Sequence, residues 1–157
     1  MKFTFGDEPA RYRGDLPAAM ESTMARRPAV LVVDDHEDTR HMSLLVLRSQ
    51  GFDASAAAGA DDAFVRACEE RPDVILTDLA MPEGDGWDLI QKLSSDPRTR
   101  NIPVVMLTAC ATELVRERAA REGLAGFFFK PCPPDALAAE LRRLCGQISS
   151  PLLSPQP

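Results

Sequence analysis

Apolar positions along the chain fall into short runs separated by helix-length amphipathic segments. Ala29–Val33 (AVLVV) is a β-branched run of the kind found in strands buried on both faces. Residues 37–50 predict a helix carrying Met42, Leu44, Leu45, Val46 and Leu47 and stopping at Gly51, a natural residue for the turn after a helix. Residues 52–56 predict a weaker second strand, and 61–71 a helix with Ala63, Phe64, Ala67 and Cys68 on one side. A third strand is expected over 73–77 (DVILT), a third helix over 86–93, and a fourth strand over 102–107 (IPVVML). A helix over 112–122 closes at Gly123, and Gly126–Phe129 is a short fifth strand. The last helix, 133–145, is opened by prolines and closed by Gly146. Strand and helix alternate five times with short connections, which implies a parallel sheet with helices on both faces. Five units do not close an eight-fold barrel, so the expected fold class is α/β, an open doubly wound sheet.

The flanks differ from this pattern. Residues 1–28 mix Gly6, Pro9, Gly14, Pro17 and Pro28 with scattered charge and read as a poorly ordered N-terminal arm. Residues 29–147 form the expected domain, and 148–157 a Ser/Pro-rich solvated tail. The first 28 residues hold no apolar signal region and no stretch approaches membrane-spanning length, so a cytoplasmic location is expected, with no membrane partner. Eighteen Lys plus Arg against 24 Asp plus Glu give a net charge of −6, which disfavours a nucleic-acid grip. The four cysteines (Cys68, Cys110, Cys132, Cys145) show no C-x-x-C pair, so structural zinc and a disulfide framework are disfavoured as well.

In doubly wound sheets the functional crevice lies beyond the carboxyl ends of the strands. Strand one runs into Asp34-Asp35, strand three into Asp78, strand four into Thr108 and strand five into Lys130, one of only three lysines. If strands one and three are neighbours, their spacing of about 4.8 Å brings three carboxylates together. Such a group repels itself, and a hard divalent cation such as Mg²⁺ relieves the repulsion while Lys130 adds positive charge. A single strand-end Asp would mean no more than a helix cap. Three acids, a hydroxyl and a lysine on one edge point to a site.

VLVVDD (30–35), DVILTDLAMPEGDGWDL (73–89), VVMLTA (104–109) and FFFKP (127–131) together resemble the receiver domain of two-component response regulators, in order and with the family's separation between Thr108 and Lys130. The resemblance implies strand order 2-1-3-4-5 and assigns roles. Asp78 would be the phosphoacceptor, with Mg²⁺ held by Asp34, Asp35, Asp78 and the backbone carbonyl of Ala80. Thr108 and Lys130 would contact the phosphoryl oxygens, and the Lys130-Pro131 bond would be cis. Met81-Pro82 and Asp85-Gly86 would form the loop after the acceptor. The donor would be a sensor histidine kinase or a histidine phosphotransfer protein, and an unidentified protein would receive the signal. The chain would catalyse only its own phosphorylation and dephosphorylation, so it is read as a signalling protein and not as a turnover enzyme.

Several positions refine this. Phe127 stands where the family often carries a rotamer switch, here without a hydroxyl. Ala80 and Cys110 occupy positions that influence phosphoryl lifetime in the family, and neither can orient a hydrolytic water, so a slowly hydrolysing phosphoform is expected. His36 and His41 read as surface residues. Cys110 and Cys132 each lie two residues beyond a phosphate-site residue and read as unpaired thiols. Arg116, Arg118 and Arg121 alternate with Glu113, Glu117 and Glu122 as a solvated, paired helix face. Too few residues follow Gln147 for an output domain, so a stand-alone receiver of chemotaxis-regulator type is expected, with a phosphorelay intermediate as the alternative. An Asp-nucleophile phosphatase would need D-x-D after strand one, where the chain has Asp34-Asp35-His36. A flavin-binding relative would need a Ser/Thr/Gly-rich phosphate loop where the chain has DDHEDT.

Overall fold

The computed structural model describes residues 26–81, 86–110 and 112–149. The elements are β1 (Ala29–Val33), α1 (Glu37–Ser49), β2 (Asp53–Ala57), α2 (Ala60–Glu70), β3 (Val74–Thr77), α3 (Gly86–Ser95), β4 (Val104–Thr108), α4 (Glu113–Arg121), β5 (Gly126–Phe129) and α5 (Pro134–Ser149). The strands form one parallel sheet in the order β2-β1-β3-β4-β5, as the family resemblance implied. None of the helices among the described residues is long and apolar enough to cross a membrane. The N-terminal arm up to residue 25, the tail from residue 150 and the loop positions Pro82 and Asp85 lie outside the described residues.

Alternation along the strands sorts the core into two layers. Val30, Val32, Val74, Leu76 and Val105 point to one face, where Leu47 of α1 and Leu137, Ala138, Leu141 and Leu144 of α5 cover them. Leu31, Val33, Ile75, Val104 and Met106 point to the other, against Ala63 and Ala67 of α2, Leu89, Ile90 and Leu93 of α3 and Ala119 of α4. Burial on both faces is why these strands read as continuous apolar runs.

Some boundaries moved. The second strand is made of the small residues Asp53–Ala57, while Phe52 precedes it as a core anchor with 1% exposure. β4 begins after Pro103, whose missing N–H suits it to the strand's entrance. Gly51 ends α1 as expected, at φ +92°, a conformation that costs glycine nothing. Gly146, expected to close the last helix, does not: α5 continues through it to Ser149. Its φ is not among the positive ones, and a helix anchored by Leu137, Leu141 and Leu144 outweighs the roughly 1 kcal/mol penalty of an internal glycine.

The chain runs from β1 outward to β2, then returns past β1 to place β3 on the opposite side. β1 and β3 therefore flank the point where the winding reverses, and the crevice beyond their carboxyl ends is where Asp34 and Asp78 emerge.

Candidate functional site

Register sets the first two acids side by side. Val33 pairs with Thr77, so the residues that follow, Asp34 and Asp78, leave adjacent strands at the same height. The Asp78 N–H donates to the Val33 carbonyl at 3.0 Å, extending the ladder past the last strand residue. Asp34 is 4% exposed, and its Oδ1 accepts from the His36 backbone N–H at 2.9 Å. Arg40 of α1 reaches back and donates to the Asp34 and Asp35 carbonyls at 3.0 and 3.4 Å, fixing the acidic turn from behind.

The Asp78 side is equally constrained. Asp78 Oδ1 accepts from the Ala80 N–H at 3.2 Å, and the Thr77 hydroxyl donates to the Asp78 carbonyl at 3.0 Å. Gly86 closes over this segment, its N–H donating to the Leu79 carbonyl at 3.0 Å. A Cβ at position 86 would lie 2.6 Å from the Asp78 carbonyl oxygen, so only glycine permits this approach. Its spacing marked it as a loop residue in the sequence, but the close packing on the Asp78 backbone is a tertiary fact.

Lys130 completes the cluster from the far side of the sheet. Its backbone N–H bonds the Thr108 carbonyl at 2.9 Å, and the Lys130-Pro131 peptide is cis. The Lys130 Nζ donates to Asp78 Oδ2 at 2.8 Å and lies 3.5 Å from Asp34 Oδ2. Burial disfavours the charged ammonium, but the Asp78 hydrogen bond and charge, followed by Asp34, outweigh it, and the lysine pKa stands above its ordinary value. The cleft between these groups is only about 20 Å³ and is bordered by Thr39, Ser43 and Thr77 as well. Thr108, 1% exposed, sits beside Lys130 through the β4–β5 pairing. Its Oγ1 accepts from the Cys110 N–H at 3.1 Å.

The donor set fits a divalent cation. One oxygen each of Asp34 and Asp35 and one ring nitrogen of His36 lie within 4.8 Å of one another. Both carboxylates are largely buried while Lys130 is committed to Asp34 and Asp78, so the acidic pair retains negative charge for a cation to neutralise. Ala80, two residues after Asp78, is exposed. His36 is surface-exposed as expected, but its Nδ1 is 3.1 Å from Asp35 Oδ1 and 3.6 Å from Asp34 Oδ1, an involvement that sequence reading missed.

Phe127 of β5 is half-buried and packs edge-on against Phe129, ring centroids 5.0 Å apart. With Arg116, Ala119, Ala120, Leu124 and Gly126, the two rings border a cavity of about 360 Å³ between β5 and α4. The arginines of α4 follow the expected paired face only in part. Arg116 lies over the Phe129 ring at 4.7 Å and Arg118 over the Trp87 ring at 4.5 Å, while Arg118 also pairs with Glu122 at 3.5 Å. Guanidinium planes stack on aromatic faces, and helical charge patterning alone does not reveal that option. All four cysteines are outside disulfides.

The response regulator receiver domain family matches residues 30–142. The phosphate regulon transcriptional regulatory protein PhoB of Escherichia coli is 39% identical over 126 residues, covering 80% of this chain and 54% of PhoB. An uncharacterized 14.6 kDa protein of Leptolyngbya boryana is 34% identical over 116 residues, 74% of this chain and 88% of that protein. Among solved structures, chemotaxis protein CheY4 of Vibrio cholerae superposes with a TM-score of 0.71 at 28% identity, over 75% of this chain and 98% of CheY4. The chain thus spans about half the length of PhoB.

Proposed function

The chain belongs to the response regulator receiver domain family, and from that premise we propose that it accepts a phosphoryl group on Asp78 and signals through phosphorylation-dependent protein contacts. The observation that carries this reading is the position of the Lys130 ammonium, which bridges the ends of β1 and β3 by touching Asp78 and Asp34 at once.

An Asp78 carboxylate oxygen forms the new P–O bond as the P–N bond of a donor phosphohistidine breaks, and the imidazole leaves with the bonding electrons. The donor is a histidine kinase or a histidine phosphotransfer protein. Lys130 transfers its hydrogen bond from the carboxylate to a phosphoryl oxygen, so its charge stays near the growing negative charge. The Thr108 hydroxyl, now accepting from Cys110, turns to donate to a second phosphoryl oxygen. Asp34, Asp35, Asp78 and the Ala80 carbonyl would hold Mg²⁺, which would supply neutralising charge for the phosphoryl oxygens. Phe127 borders the cavity beside α4 and packs on Phe129, the register partner of Thr108, which gives it a path to respond to movement of Thr108. Ala80 and Cys110 offer no group to orient an attacking water, which gives a long-lived phosphoform.

Incubation with acetyl phosphate and Mg²⁺ tests the assignment by intact mass. Wild type gains one phosphoryl group, roughly 80 Da, and Asp78→Asn does not. Equal gain in both variants removes Asp78 as the acceptor, and a phosphoform decaying within seconds of donor removal overturns the slow hydrolysis.

A further inference from the structure

His36 stands at the N-cap position of α1, where a side chain ordinarily turns back to accept from the helix's first N–H groups. This one makes no such capping bond. Its ring faces the acidic turn instead, with Nδ1 3.1 Å from Asp35 Oδ1 and 3.6 Å from Asp34 Oδ1. Two donors about 2.1 Å from one cation and at right angles to each other sit about 3.0 Å apart. The separation of Asp35 Oδ1 and His36 Nδ1 matches that figure, so both atoms can face one ion with little rearrangement. His36 is also reachable, with its side chain 73% exposed.

We propose that His36 is a ligand of the cation site, adding an imidazole nitrogen to the Asp34–Asp35 oxygens and tilting the site toward divalent transition metals over Mg²⁺. The inference rests on the reading of the acidic pair as a cation site given above. Carboxylates, carbonyls and water suit Mg²⁺, whereas imidazole suits the borderline metals from cobalt to zinc. On binding, Nδ1 exchanges its hydrogen bond to Asp35 for the metal, and the ring proton resides on Nε2. The remainder of the site is oxygen, so Mg²⁺ binding proceeds without the ring, and the imidazole counts only for metals that accept nitrogen.

The test titrates the full chain with CoCl₂ and with MgCl₂ by calorimetry, as wild type, His36→Asn and Asp35→Asn. Asparagine is itself a favoured N-cap residue, so it removes the imidazole without weakening the start of the helix. The proton NMR spectrum of the cobalt form is recorded alongside. Wild type shows a hyperfine-shifted imidazole N–H signal that His36→Asn lacks. In His36→Asn, Co²⁺ affinity falls about tenfold, and Mg²⁺ affinity stays within about twofold of wild type. Equal Co²⁺ affinity in the two proteins overturns the inference. A shifted imidazole signal persisting in His36→Asn assigns the ligand to His41 and also overturns it, as does a thiolate-to-cobalt absorption band from Cys110 or Cys132. Asp35→Asn reports separately: unchanged Mg²⁺ binding there defeats the acidic-pair reading itself, whatever His36 does.

Discussion

The two faces of the sheet are secured by different kinds of contact. On the α1/α5 face, Leu47, Phe52, Leu137, Leu141 and Leu144 fill the layer, and side chains clasp the two helices over it. Arg142 donates to the Gln50 carbonyl at 2.8 Å and to its Oε1 at 3.1 Å, while Gln50 Nε2 donates to Asp135 at 3.0 Å. On the opposite face, α2 and α3 are joined by the Lys92–Asp61 pair, but α4 fully buries Ala119 alone, with Val115 partly buried against the same layer. Two further contacts are Arg116 on Phe129 and Arg118 on Trp87. Burying a leucine is worth about 1.5–3 kcal/mol, and an exposed Arg–aromatic contact about 0.5–1 kcal/mol. The α1/α5 side is therefore a frame, whereas α4 is held by fewer buried apolar side chains and costs less to displace. Its two aromatic partners are adjacent in sequence to Gly86 and Lys130, so the contacts of α4 lie one residue from the Asp78 cluster.

Truncation of the frame gives the largest effect. Leu141 is fully buried, and Leu141→Ala lowers stability by about 2–5 kcal/mol, measured by urea unfolding; a loss below about 1 kcal/mol would erase the distinction between the faces. Gly86→Ala comes next. The new methyl meets the Asp78 carbonyl at 2.6 Å, so stability falls by about 1–3 kcal/mol and phosphorylation by acetyl phosphate slows, whereas wild-type labelling kinetics would show that this backbone yields freely. Arg116→Ala and Arg118→Ala each cost no more than about 1 kcal/mol. Their signature is faster amide exchange confined to α4, with α5 unchanged; exchange rising equally in α5 would mean that the faces are not independent.

The cysteines give the mildest contrast. Cys145 lies in the frame, where burial and then the Asp73 carboxylate push its thiol up to about 11. At about pH 8 it is protonated, and its alkylation rate climbs only as pH approaches that value. Cys110 is exposed and is labelled first by iodoacetamide, as peptide mass mapping would record. Matching rates for the two would place Cys145 outside the frame's protection.

Much of this was legible in the chain itself. Each apolar run bounded by Asp34, Asp78, Thr108 or Lys130 became a strand aimed at the crevice, because burial on both faces demands unbroken hydrophobicity and the polar residue marks where burial stops. β2 was faint because Ala54, Ala56 and Ala57 carry little apolar signal, though the sheet pairs them in full register with β1. The end of α5 was misplaced because glycine punctuates a helix only when tertiary packing lets it. The contacts of His36, Arg40, Arg116 and Arg118 were invisible for another reason. Each depends on which loop or ring the fold brings opposite, and no periodicity along one helix encodes that.

Lys130 also bears on the protein before any signal arrives. By resting between Asp78 and Asp34 it serves as an internal counter-ion, although one ammonium set against Asp34, Asp35 and Asp78 still leaves surplus negative charge in the pocket. Part of the repulsion where the winding reverses is thus relieved by the chain itself, and the remainder is left for a cation to relieve.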